Sequence, residues 1–394
     1  MKKTLALTLA LALALTACTS QAKDSSQSGE NKESSATEQK AENGAMEKFI
    51  IGSIGPTTGP AASYGTSVKQ GSEIAINEIN SAGGVKVGDK TYSLEFNFVD
   101  DEATPDKAIT AYNSLIDSKM NVLLGCVTSG SSLAVSEKSA EDGILMITPS
   151  GSVPDITKPD NVFRLCFTDT LQGKTIAEFV ANKGYKSVAI LYDNSDEYST
   201  GIYEAFKDEL NSKGLSNIVV AVESFNSADV DYATQLTKIK STGAEAIFVP
   251  AYYQAAAYIT QQAKTAGIEA DFIGSDGWDG VIAQVTDKEA LEDAVFLSPF
   301  LATEDSAKSF VEQYQSKYKA VPDQFAADGY DTVYVIKAAM EKAGSIENDK
   351  LIAAMTEIKV DGLTGSVTFD KSGEPFKSAK FVTIKNGEYV TYKE

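Results

Sequence analysis

The period of apolar and polar positions changes repeatedly along this chain, and those changes lay out its elements. Residues 49–54, FIIGSI, form a short apolar run that reads as a strand. Over residues 64–82, Val68, Ala75, Ile79 and Ala82 fall at helical spacing, and Gly83 with Gly84 ends that helix. Residues 92–100 then alternate through Leu94, Phe96 and Phe98, as a half-buried strand does. Thr104 and Pro105 open a helix that runs to about residue 118. A strand at 121–125, a helix at about 132–142 and a strand at 144–147 follow. This rhythm predicts an α/β domain with a parallel sheet.

After another strand at 161–167, NVFRLCF, the rhythm starts again. Helices at 171–183, 197–212, 229–241 and 254–266 alternate with strands at 187–192, 217–223, 245–250 and 271–274. Strand character at 294–299 leads into a helix-rich portion at 303–356. The end returns to β, at 365–370 and in a hairpin at 380–392 around Asn386 and Gly387. One α/β unit is approximately duplicated, with no shorter repeat.

The first 45 residues follow neither pattern. Met1–Lys2–Lys3 precedes an apolar run at 5–15, too short to span a membrane as an ordinary helix. It ends in Leu15–Thr16–Ala17–Cys18, which resembles the lipobox of bacterial lipoproteins. The resemblance implies a lipoprotein signal peptide at 1–17, cleaved before Cys18, and a diacylglycerol anchor on the Cys18 sulfur. The plainer alternative is a secretory signal followed by a coincidental cysteine. Residues 19–45 contain no aromatic residue and no Ile, Leu or Val, so burial cannot offset their chain entropy. Residues 18–46 are therefore expected to be a disordered tether with a reach of roughly 30 Å.

Composition narrows the function. Among 394 residues the net charge is −20, and loss of residues 1–17 removes two lysines and makes it −22. That argues against nucleic acid or an anionic membrane surface as partner. Histidine is absent, which excludes Ser–His and Cys–His catalysis and His-ligated metal. Arg164 is the single arginine, so an anionic ligand must rely on hydroxyls, N–H groups, lysine or that one guanidinium. Cys126 and Cys166 could pair outside the cell, but both lie in apolar strand contexts, which favours two buried free thiols.

Candidate chemistry gathers between Gly125 and Asp155. Two loops there leave the carboxyl ends of predicted strands, where open parallel sheets bind ligands. Thr128, Ser129 and Ser131 bring hydroxyls and backbone N–H groups to a helix N-terminus, which suits an anion such as a carboxylate. Ser150, Gly151 and Ser152 add small polar groups whose backbone a ligand can approach. Ordinary helix capping and strand ending account for the same residues.

FIIGSIGPTTGPAASYG, GSEIAINEINSAGGV, VDDEATPDKA, LLGCVTSGSS, EDGILMITPSGSVPD, NVFRLCFTD, FVPAYYQ, FIGSDGW and AADGYDTV occur in this order from residue 49 onward. Together they resemble the solute-binding components of branched-chain amino-acid (Leu, Ile, Val) ABC transporters. The resemblance implies a type I periplasmic-binding-protein-like α/β fold, with two doubly wound parallel-sheet lobes joined by three crossover strands. Lobe one would be residues 47–168 plus 300–372, and lobe two 169–299 plus 373–394.

Carried over residue by residue, the resemblance puts Ser129, Ser150 and Ser152 on a ligand's carboxylate and amino group. Tyr64 stands beside the ligand, Tyr198 and Tyr252 close over it, and Asp276 takes its ammonium. Family members often carry Glu where Asp276 stands, and a smaller residue is expected at Ser150. Tyr64 could instead simply start a helix, and Asp276 could be an Asx-turn residue. One of Tyr252 and Tyr253 must face the core. Trp278 either lines the pocket or packs, and Arg164, on the first crossover, is read as structural.

The implied protein is a monomer without metal or cofactor, lipid-anchored at the bacterial cell membrane facing outside the cytoplasm. Its partners would be Leu, Ile or Val and the membrane permease subunits. The same fold tuned to a neutral amino acid, an amide or urea is the alternative. An enzyme, such as a Ser–Lys hydrolase at Ser129, would need Lys138 or Lys174, and neither spacing suggests a dyad.

Overall fold

The computed structural model describes residues 46–393. The predicted signal peptide, the Cys18 anchor and all of the tether except Met46 lie outside the described residues.

The chain opens with β1 (Glu47–Gly55), α1 (Ala62–Ser81), β2 (Val85–Val87), β3 (Lys90–Asp100) and α2 (Pro105–Asp117). It continues with β4 (Val122–Gly125), α3 (Ser129–Glu141), β5 (Met146–Thr148) and β6 (Val162–Arg164). These six strands form one sheet in the order β2-β3-β1-β4-β5-β6. All pairs are parallel except β2 with β3. Every residue of β4 is buried, as a strand covered on both faces must be.

The second run consists of α4 (Asp169–Lys183), β7 (Val188–Asp193), α5 (Glu197–Ser212), β8 (Val219–Phe225) and α6 (Ala233–Thr242), followed by β9 (Ala246–Val249), α7 (Tyr253–Thr265), β10 (Asp271–Gly274) and β11 (Val295–Ser298). Next come α8 (Lys308–Tyr318), α9 (Gln324–Ala343), α10 (Asn348–Met355), β12 (Val360–Gly362), β13 (Gly365–Val367), β14 (Lys380–Lys385) and β15 (Glu388–Thr391). The second sheet runs β15-β14-β11-β10-β9-β7-β8, with its final hairpin antiparallel.

Helix α9 returns the chain to the first sheet by packing along α1. Gly71 and Gly329 make that contact close. A Cβ on Gly71 would sit 1.8 Å from the Ala326 carbonyl oxygen, and one on Gly329 would sit 2.3 Å from that of Val68. The chain thus passes between lobes after β6, after β11 and before β14. Two of these passages touch, since the Arg164 N–H donates to the Gly373 carbonyl at 3.0 Å.

Several elements differ from the sequence expectations. Helix α3 starts at Ser129 rather than about residue 132, since the Ser-rich turn is already helical. Strand β2 and the β12–β13 pair are too short for periodicity to register. Helix α6 starts at Ala233 because the Asp229 side chain accepts the Asn226 N–H and holds that segment in a turn. Cys126 and Cys166 are free and buried, and burial pushes both thiols up. Among the described residues no helix is long and apolar enough to cross a membrane.

Candidate ligand-binding cleft

One wall of the cleft follows from how β4 and β5 end. After Gly125 the chain turns through Val127 and Thr128 into α3. Thr128 occupies the N-cap in extended conformation without a side-chain cap bond, and its buried hydroxyl has no partner among the described residues. Beyond β5, Ser150 Oγ donates to the Val127 carbonyl at 2.7 Å, and the Ser152 N–H donates to Ser129 Oγ at 3.1 Å. Thr148 Oγ1 accepts the Gly151 N–H at 2.8 Å and donates to the Cys126 carbonyl at 2.7 Å. A Cβ on Gly151 would fall 2.6 Å from Ser132 Oγ, so only glycine lets the two loops meet this closely.

Arg164 holds this wall from behind. Its fully buried guanidinium donates to the carbonyls of Gly151 at 2.8 Å and Val153 at 3.0 Å, and pairs with Glu374 at 2.9 Å. With its planar fork saturated in this way, it positions the loop, as expected for a structural arginine.

The facing wall rises from the carboxyl ends of β7, β9 and β10. Asp196 caps α5 by accepting the Ser199 N–H at 3.0 Å, which sets Tyr198 at the cleft. Tyr252 is the N-cap of α7, and Asp276 opens a short 3-10 turn after β10. Tyr198 and Tyr252 stack with centroids 4.9 Å apart and 19° between planes. The Tyr198 hydroxyl lies 2.6 Å from Asp276 Oδ1 and 2.7 Å from Ser275 Oγ, and accepts the Gly277 N–H at 2.8 Å.

Asp276 is 5% exposed and joins no ion pair among the described residues. Burial pushes its carboxyl up to about 6, against the pull of the Tyr198 and Gln172 hydrogen bonds. Such a group gains most from a cation brought to it.

The walls meet across the cleft. The Tyr64 hydroxyl, from α1, accepts the Tyr253 N–H at 2.9 Å and donates to the Gly277 carbonyl. The cavity between them holds only about 10 Å³, room for about one water, so the two walls stand closed on each other.

Tyr64, Ser129, Ser150, Tyr198, Tyr252 and Asp276 all line this cavity. Ser152 is brought close but lies behind it, fully buried against Ser129. In VPAYYQ, Tyr252 faces the cavity and Tyr253 packs into the core, 4.8 Å from the Tyr64 ring. Trp278 is fully buried and donates to the Val249 carbonyl at 2.8 Å, so it packs rather than lines.

Val127, Gly277 and Phe325 also line the cavity and were missed from sequence. Phe325 sits in the first turn of α9, its ring 4.2 Å from that of Tyr64, and helical spacing alone cannot separate cleft from core there. The cavity thus combines hydroxyls and a helix N-terminus on one wall, one buried carboxylate on the other, and aromatic sides. That is a fit for a small zwitterion with an apolar side chain.

Comparison with known proteins agrees with this architecture. A model of the periplasmic binding protein family matches residues 49–388. The Leu/Ile/Val-binding protein homolog 3 of Brucella melitensis is 32% identical over 337 residues, which is 84% of this chain and 89% of that protein. The branched-chain amino acid transporter substrate-binding protein LivJ of Streptococcus pneumoniae, in complex with isoleucine, is 31% identical. It superposes with a TM-score of 0.80 over 88% of this chain and 100% of its own. A solute-binding protein of an ABC transporter from R. palustris, in complex with benzoate, is 25% identical, with a TM-score of 0.78 over 87% of this chain and 95% of that one. The chain belongs to the periplasmic binding protein family and has its type I fold of two α/β lobes.

Proposed function

We propose that this protein is the extracytoplasmic solute-binding component of an ABC importer, and that it carries leucine, isoleucine or valine to the permease in the cleft between its lobes. The observation that supports this most is Asp276, buried and without an ion-pair partner among the described residues, facing a hydroxyl-rich helix N-terminus across the cleft. In this reading Asp276 takes the ammonium, while Ser129 and Ser150 hold the carboxylate end and Ser152 braces Ser129 from behind. Tyr64, Tyr198 and Tyr252 enclose the side chain.

Lobe one is residues 47–168 plus 300–372, and lobe two is 169–299 plus 373–394. Their closure over ligand creates the surface the permease reads, so binding and closure are one equilibrium. The protein acts as a monomer, tethered through a lipid on Cys18, and performs no chemistry. Lys138 is already engaged with Glu141 at 2.6 Å, which speaks against it as a base for Ser129.

A second reading keeps the fold and changes the solute. The benzoate-bound neighbour supports it, because ligand choice on one scaffold rests on a few cleft residues. Thermal-shift measurements with leucine, isoleucine, valine, other neutral amino acids, urea and benzoate separate the two. A ligand present at a hundred times its Kd stabilises the native state by about 2.7 kcal/mol. A shift with benzoate or urea and none with the branched-chain amino acids would reject the first reading.

A further inference from the structure

The turn that carries Asp276 is held from the opposite lobe by groups that do not line the cavity. Asp279, just past that turn, is 5% exposed, and its Oδ2 accepts the Gln324 N–H of α9 at 2.9 Å. Gln324 is 1% exposed, and its Nε2 donates to the Asp276 carbonyl at 2.6 Å. On the near side the Asp276 N–H donates to Gln172 Oε1 at 3.0 Å. Two glutamines, one from each lobe, therefore fix both backbone polar groups of the residue assigned to the ammonium.

Asp323 stands next to this contact on the α9 side. It caps the helix by accepting the Ala326 N–H at 2.9 Å through Oδ1, and accepts Ser67 Oγ at 2.7 Å through Oδ2. Asp279 Oδ1 is buried and has no hydrogen-bond partner among the described residues. Neither carboxyl joins an ion pair among those residues. The titratable groups acting on the two are the carboxyls of Asp276 and Asp328 and the phenols of Tyr64 (α1), Tyr253 (α7), Tyr314 (α8) and Tyr389 (β15).

We infer that Asp279, Asp323 and Gln324 form an interlobe latch, made only when the lobes close and set with the uptake of one proton. This rests on the proposed cycle of opening and closure. Closing brings two carboxyls from different lobes together in a buried place, where like charges cannot both stay ionised at low cost. Burial and then the neighbouring Asp323 push Asp279 up, while burial raises Asp323 against the bonds from Ser67 and Ala326. A proton on Asp279 also gives its orphaned Oδ1 an O–H.

The sign follows from linkage. Opening the lobes would expose the carboxyls and let them fall back toward the ordinary carboxylate range, whereas burial on closure raises them, so the closed form binds more protons. Closure is therefore fully favoured at acid pH and weakens as pH rises through the closed-state value. Gln324, Asp279 and Asp323 are positioning residues, acting on the ligand only through Asp276 and the lobe equilibrium.

The test is small-angle scattering of the full, ligand-free protein at pH 5.5, 7.0 and 8.5. Wild type should be more compact at acid pH and expand as pH rises. Asp279→Asn, which carries N–H in place of the shared proton, should lose the dependence between pH 7.0 and 8.5, above the range in which Asp276 titrates, and Gln324→Ala should be expanded throughout. Asp323→Ser keeps a capping oxygen and removes the charge, so it serves as an independent arm if Asp279→Asn does not fold. Leucine titrations from pH 7.0 to 8.5 form a separate arm. Wild-type affinity should fall by up to about tenfold per pH unit, and Asp279→Asn should be flat. A wild-type particle indifferent to pH, or an equal pH response in wild type and both acid variants, overturns the latch. Failure to bind leucine leaves the scattering result standing and rejects only the ligand assignment.

Discussion

Asp276→Ala is the substitution with the largest expected effect on binding. A ligand ammonium in the closed cleft is out of water, and the other acceptors lining the cavity are hydroxyls and backbone carbonyls. Breaking a buried ion pair by removing one partner costs about 3–5 kcal/mol. At 1.4 kcal/mol per tenfold, leucine affinity should fall by roughly a hundred- to several-thousandfold. The fold should survive, because the Tyr198 hydroxyl keeps Ser275 and the Gly277 N–H as partners.

Asp276→Asn keeps one acceptor oxygen and should bind with intermediate affinity. Its stability should move the other way. The carboxyl is pushed up to about 6 in the ligand-free protein, about two units above its ordinary value, and each unit is worth about 1.4 kcal/mol. A raised carboxyl stabilises the fold below its unfolded value near 4 and loses that contribution as pH rises through 6. Ligand-free Asp276→Asn should therefore melt above wild type at pH 7.5, with the difference shrinking by pH 5. Isothermal titration with leucine measures binding, and calorimetric melting at the two pH values measures stability. A folded Asp276→Ala that binds leucine within threefold of wild type would refute the ammonium assignment.

Arg164→Met should lower unfolding stability by about 3 kcal/mol, since it leaves the Glu374 carboxylate with only the Thr157 hydroxyl among the described residues and removes a donor from the buried carbonyls of Gly151 and Val153. Urea unfolding measures this, and leucine binding should weaken with it as the Ser150–Ser152 loop loosens. Gly71→Ala forces a Cβ to 1.8 Å from the Ala326 carbonyl oxygen, so α1 and α9 must separate. An overpacking cost of about 1–3 kcal/mol or more should appear in the same assay. Cys18→Ala should release the protein from washed membranes while leaving leucine binding intact, and full membrane retention would reject the lipid anchor.

Much of the fold was legible because parallel strands buried on both faces read as short apolar runs, as in Leu123–Leu124 and Ile247–Phe248. Helix α5 and strand β10 match their expected bounds because capping or turn residues mark their ends. Three-residue strands such as β2 leave no period to detect. The aromatic and hydroxyl lining could be named from motifs, yet sequence alone did not distinguish Tyr252 from Tyr253 or assign a side to Trp278. Those choices depend on which face of α7 and of the turn after β10 meets the sheet, a tertiary matter. Phe325 escaped for the same reason, and the pairing of Asp279 with Gln324 joins residues 45 apart in the chain.

The three passages between lobes have a consequence for how the molecule is made. Helix α9, which fills the face of the first sheet beside α1, is encoded after residue 323, and β14 and β15 complete the second sheet within the last fifteen residues of the described chain. A chain emerging from its N-terminus cannot finish one lobe before starting the next. Both must wait for the C-terminal segments, with β11 pairing across to Thr383 from Val295. Until then the α1 face and the β11 edge are uncovered, which leaves the nascent chain open to wrong partners. That interlaced order favours slow, late, concerted completion over sequential assembly.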